Sequence, residues 1–226
     1  MDMTATLLLL LIVVLLFLVA RFNIACRNAN LTDWGHPALN FLDGLNRLFC
    51  HHYHRLNRIE IGMVETGPAV VVSNHISGLD PMLLIAAARR PLRFLIAKEQ
   101  YERFGLQWLF RAVGCIPVDR KGRPDIAMRA AINALSRGEV VAVFPHGKIH
   151  LPHHPETRLK SGAATLAVKA ECPIYPVRLS GMKAQGHVLT SVILRGKTRL
   201  EICNEIQISG LEIADLNKKI SDCIDS

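Results

Sequence analysis

The chain has 226 residues, half of them hydrophobic, and carries a formal net charge of +8. That length allows one compact core with a short appendage. The charge suits an anionic partner, either nucleic acid or an acidic lipid surface. The basic residues are not interleaved with aromatics, which argues against a nucleic-acid binder. The six cysteines are scattered without a C-x-x-C pair. They point away from a disulfide framework and towards free thiols in a reducing, cytosol-facing domain.

Residues 3–20 carry no charge, and 7–20 are apolar throughout. This is near the lower limit for a helix that crosses a bilayer. Asp2 precedes the run and Arg21 and Arg27 follow it, so the basic leader of a secretory signal is missing. Positive charge on the C-terminal flank predicts a retained anchor at the cytoplasmic membrane, with the rest of the chain facing the cytoplasm. Residues 37–58 space Leu39, Phe41, Leu42, Leu45, Leu48 and Phe49 at helical intervals, with Asn, Arg and His between them. The pattern fits an interfacial helix with a basic polar side, and equally an ordinary helix packed on the domain.

Beyond this point, short β-rich runs alternate with helical patterns. Strands are predicted at 69–73, 92–97, 115–118, 140–144, 174–179, 191–194 and 200–208. Helices are predicted at 81–90, 99–113, 124–136, 160–170 and 213–224. This order gives an α/β fold with a mostly parallel central sheet of about seven strands flanked by helices. The last strands follow one another directly, which makes that edge antiparallel. The expected organisation is an anchor over 1–28, a membrane-proximal helical segment over 29–62 and an α/β domain over 63–226. In such sheets, functional residues gather where strands end and helices begin.

The first such point holds Asn74, His75, Gly78, Asp80 and Pro81. Separately, Asp80 before Pro81 reads as a helix N-cap and His75 as a strand-end histidine. Together, with Gly78 folding the chain back, the carboxylate can fix the imidazole tautomer and leave the other ring nitrogen as a base. No serine or cysteine stands in a nucleophile elbow, so the nucleophile would be the hydroxyl of a substrate.

Asn74-His75 followed by Asp80 resembles the N-H-x4-D signature of the glycerolipid acyltransferases, the 1-acylglycerol-3-phosphate acyltransferase group. Residues 97–99 (A-K-E), 114–120 (G-C-I-P-V-D-R), 144–147 (F-P-H-G) and 172–177 (C-P-I-Y-P-V) resemble further blocks in the order of that family. The resemblance covers about residues 60–210. It implies direct transfer of an acyl group from acyl-CoA or acyl-carrier protein to a lysophospholipid hydroxyl, without a cofactor or metal. His75 would be the base and Asp80 its orienting partner. Asn74, Lys98, Arg120, His146, Gly147 and Lys148 would bind substrate, Arg120 through its planar fork to phosphate. Backbone amides around Gly147 would be candidates for the oxyanion.

The third block departs from the family, which has F-P-E-G-T-R where this chain has His146, Lys148 and Ile149. The arginine of that motif is missing in register, with Lys148 or Arg158 as substitutes. A different lyso-lipid acceptor, such as an amino-acid-containing lipid, or a lipid-binding homologue without activity, are the alternative readings. Two histidine clusters, His146 with His150, His153 and His154, and Cys50 with His51, His52 and His54, read as non-metal residues. Oligomeric state is not legible in the sequence.

Overall fold

The computed structural model describes residues 3–151 and 159–225. His153, His154, Glu156 and Arg158 lie outside the described residues. Five strands run parallel and one antiparallel in a 6-stranded sheet. They are β1 (Ala69–Ser73), β2 (Leu92–Ala97), β3 (Ile116–Val118), β4 (Val140–Val143), β5 (Ile174–Ser180) and β6 (Arg199–Ile202), in the order β3-β2-β4-β1-β5-β6. The α/β class, the parallel sheet and its antiparallel final edge match the expectation.

The strand count is a correction. Residues 191–194 are not a strand: Leu189–Ile193 forms a short helix, α8. The buried hydroxyl of Ser191 donates back to the carbonyls of His187 and Val188, which holds one helical turn. An apolar run as short as residues 192–194 does not distinguish the two states by its periodicity.

β1 explains why the sheet is central. All five of its residues are buried, as expected for a strand covered on both faces. Ala69 and Val71 pack into one apolar cluster with α3 (Asp80–Ala87). Val70 and Val72 pack into a second with α6 (Pro124–Ser136), α7 (Gly162–Ala170) and α9 (Ile213–Ile224). The period-2 alternation of a strand thus joins two cores. The predicted helix at 99–113 is divided into α4 (Lys98–Tyr101) and α5 (Gln107–Ala112), with Gly105 at φ +81° between them.

At the N-terminus, α1 (Met3–Ala29) is almost wholly exposed, and its best 18-residue window has a mean hydropathy of 3.0. It is long and apolar enough to cross a membrane. α2 (Pro37–Leu48), continued by a π-helical turn (Phe49–Tyr53), crosses the end of α1 closely: a Cβ on Gly44 would sit 1.7 Å from the Cys26 carbonyl oxygen.

Of the two readings of this segment, packing on the domain describes Arg47. Its guanidinium is buried, pairs with Asp43 at 2.6 Å, and donates to the carbonyls of Ala86 and Ala88 at the end of α3. His51 and His54 bond to the carbonyls of Leu56 and Val192.

The cysteine expectation is corrected at one pair. Cys203 and Cys223 form a disulfide, Cα atoms 6.3 Å apart, that ties the chain after β6 to α9. Cys26, Cys50, Cys115 and Cys172 are free and buried. Burial pushes the thiols of Cys50 and Cys115 up to about 12.

Candidate active site

Because β1 to β4 are parallel, the segments leaving them emerge at one edge of the sheet. His75 follows β1, the Phe144–Gly147 turn follows β4, Lys98 follows β2 and Arg120 follows β3. The topology therefore collects in one row residues that are far apart in the chain.

The centre of the row is a local structure. The Nδ1 of His75 lies 2.8 Å from Asp80 Oδ2. The same oxygen accepts from the backbone N–H groups of Ile76 and Ser77 at 2.7 and 2.8 Å. The other, Oδ1, accepts from the Ser77 hydroxyl at 2.6 Å. Asp80 opens α3, yet its carboxylate serves the loop before the helix instead of capping the helix itself. With several donors converging on it and no solvent exposure, the carboxylate is a fixed acceptor. It orients the imidazole with Nδ1 protonated, leaving Nε2 without a hydrogen bond among the described residues. The side chain of His75 keeps 20% of its surface exposed, enough for contact from outside.

The imidazole is also held face-on. Its ring stacks on Phe144 with centroids 4.3 Å apart and planes 20° apart, and Phe144 stacks in turn on Phe94 at 6.0 Å. The His75 carbonyl accepts from the His150 N–H at 2.7 Å. Gly78 acts through close approach: a Cβ there would lie 2.3 Å from the Val188 carbonyl oxygen, and the Gly78 N–H bonds the His187 carbonyl.

Asn74, expected to bind substrate, has its amide committed to the main chain. Its Nδ2 donates to the Leu179 carbonyl at 2.8 Å and its Oδ1 accepts from the Leu179 N–H at 2.7 Å. This clamps the end of β1 to β5 just before the histidine. Gly147 is also committed, since its N–H bonds the Phe144 carbonyl at 2.9 Å and closes a turn. That amide is therefore unavailable to an oxyanion.

The cations form a graded series. Lys148 is exposed at β4, and the Lys160 ammonium lies beside Gly147, 2.7 Å from where a Cβ would be. Lys98 reaches Asp119 at 3.9 Å, and both groups are well exposed. The guanidinium of Arg120 is exposed, with no ion pair or hydrogen bond among the described residues. β3 is three places from β1 in the sheet, so the base of Arg120 is about 14 Å from that of His75 at the usual strand spacing.

His146 is buried between Asp225, whose Oδ1 is 3.3 Å from its Nε2, and His150, whose ring stacks on it at 4.5 Å. Its Nδ1 has no hydrogen-bond partner among the described residues. Burial is the main reason its pKa lies below the usual imidazole value; Asp225 opposes the shift, while His150 and His75 add to it. Sequence reasoning gave no role to Ser77, Phe144, Lys160 or Asp225. Ser77 carried a signal, a hydroxyl three residues before an aspartate; the other three are brought in by tertiary packing.

A family model described as Acyltransferase matches residues 47–180. A probable 1-acyl-sn-glycerol-3-phosphate acyltransferase of Mycoplasma genitalium is 34% identical over 126 residues, covering 53% of this chain and 46% of that protein. The 1-acyl-sn-glycerol-3-phosphate acyltransferase of Streptococcus pneumoniae is 27% identical over 164 residues, covering 71% and 57%. An N-acylphosphatidylethanolamine synthase of Arabidopsis thaliana is 31% identical over 122 residues, covering 50% and 42%. The chain spans about half the length of the curated relatives it matches. The crystal structure of the 1-acyl-sn-glycerophosphate (LPA) acyltransferase PlsC from Thermotoga maritima shares the fold, with a TM-score of 0.66 over 83% of this chain and 78% of that one, at 21% identity. With a family model over more than half of its length, the chain belongs to the acyltransferase family.

Proposed function

We propose that this protein transfers a fatty acyl group from a thioester donor, acyl-CoA or acyl-carrier protein, to the free hydroxyl of a lysophosphatidic acid-like acceptor. The observation that carries the reading is the His75–Asp80 pair: a buried, fully bonded carboxylate on Nδ1 and an Nε2 without a hydrogen bond among the described residues. Nε2 takes the proton of the acceptor hydroxyl as its oxygen attacks the thioester carbonyl. The tetrahedral intermediate collapses, the C–S bond breaks, and the departing thiolate takes the proton back from the imidazolium. A general base of this kind contributes about 10²–10⁴-fold. No acyl-enzyme is required.

The cations along the same edge support an anionic acceptor. Lys148 and Lys98 follow strands nearer to β1 than Arg120 does, Lys160 reaches the same edge beside Gly147, and a glycerol phosphate is short. These lysines therefore suit the acceptor phosphate, with Arg120 reaching in from the far end of the row or holding a phosphate of the donor. α1 supports anchoring at a membrane, where such acceptors reside.

The test offers a panel of lyso-lipids, together with an ethanolamine-bearing lipid, to the purified full chain with acyl-CoA or acyl-carrier protein, and identifies products by mass spectrometry. Formation of a diacyl phosphate lipid is expected. Transfer to an amine alone, or no transfer to any acceptor, would contradict the proposal.

A further inference from the structure

A patch of exposed apolar side chains lies beside the catalytic loop and has no role in the chemistry. Val188, Leu189, Ile193 and Leu194 are 47%, 63%, 67% and 44% exposed. Leu189 and Ile193 are i and i+4 on α8 and share its outer face. Tyr53, 39% exposed, extends the patch, and its hydroxyl donates to the Ile193 carbonyl at 2.7 Å.

The flanking segments are basic, with Glu60 and Glu201 the first acids that follow them. Residues 181–200 contain Lys183, Arg195, Lys197 and Arg199, all exposed, and no Asp or Glu. Residues 49–58, which carry Tyr53, add exposed Arg55 and Arg58 and again no acid. Apolar tips within a basic rim have the chemistry of a segment that sits in the headgroup region of an anionic bilayer.

The patch is coupled to the site. The Gly78 N–H donates to the His187 carbonyl and the Gly186 N–H donates to the Ile76 carbonyl at 2.8 Å, so α8 and the His75–Asp80 loop are tied together. Tyr53 belongs to the turn that continues α2, which packs against α1. The patch is therefore joined to the apolar N-terminal helix through α2 and the turn that continues it. We propose that α8 and its flanks form a second bilayer contact, separate from α1, that seats the catalytic loop at the surface of an anionic membrane. The proposal rests on the functional reading only for its purpose, presenting His75 to a lipid acceptor.

The test reconstitutes the full chain in bilayers with or without phosphatidylglycerol, using lipids brominated on the acyl chains as quenchers. The Ile193→Trp variant, read against the parent, should show an added emission that the brominated lipid quenches, more strongly when anionic lipid is present. Val168→Trp, on α7 and 37% exposed, is the comparison and should not be quenched. A K197Q/R199Q double variant should weaken the anionic-lipid effect, by about fivefold per charge. Leu189→Gln with Ile193→Gln should lower kcat/KM about tenfold for acceptor in vesicles and leave detergent-dispersed acceptor unchanged. Quenching at position 193 no greater than at 168 would overturn the proposal. So would an emission change that follows protein concentration instead of lipid, which would assign the patch to a second copy. The quenching needs no turnover, so an inactive parent would remove the functional reading while the surface is still decided.

Discussion

At the level of single residues, the decisive feature is where the Asp80 carboxylate points. A helix cap serves its own first turn, whereas Asp80 binds His75, Ile76 and Ser77, all earlier in the chain. Asp80→Asn would place an amide N–H against donors on one side and lose the imidazole tautomer. Steady-state transfer should fall about 10²–10⁴-fold while the far-UV circular dichroism is retained. Unchanged transfer would remove Asp80 from the mechanism. Phe144→Ala should free the ring of His75 and lower kcat about tenfold, the order expected from one aromatic stack. The pair was legible in the sequence because both partners sit on one short loop. Phe144, Lys160 and Asp225 were not, since each reaches its partner from another element. Asn74 was legible as a residue but not in its use: hydrogen bonding to Leu179, across the sheet, leaves no trace in local spacing.

At the level of elements, α2 and α8 show how polarity patterns mislead. Arg47 looks like a residue of a solvent or membrane face, yet it is buried because Asp43 and the last carbonyls of α3 satisfy its guanidinium. Removing one partner of such a pair leaves the other charge buried. Arg47→Ala should therefore destabilise the protein by about 3–5 kcal/mol in a denaturant titration; a loss below 1 kcal/mol would place the pair in water. In α8, a short apolar run reads as a strand until Ser191 is seen to bond within one turn. The strands β1 and β2 and the helices α6 and α9 were legible to the residue, because their apolar periodicity is long or continuous and their ends carry Pro, Gly or polar residues.

Across the whole molecule, the sheet order creates a site that no segment contains. The α/β class followed from alternation of elements, but the row from His75 to Arg120 depends on the order β3-β2-β4-β1. Burial also sets the acid response. His51, His54 and His146 all have folded values below the ordinary 6.5, with burial the first cause. Below that value the unfolded chain binds more protons than the folded one. Stability is complete above about 6.5 and lost as pH falls towards the folded values. Tm should drop between pH 7 and pH 5, and a flat profile would mean that these rings charge freely in the fold.

The mechanism is tested most directly by His75→Ala in the full chain, with acyl transfer from a thioester to lysophosphatidic acid followed at saturating donor. The fold is checked by an unchanged thermal transition. The account predicts a fall of at least about 10²-fold in the transfer rate. Transfer at the parental rate by a folded His75→Ala protein would contradict it.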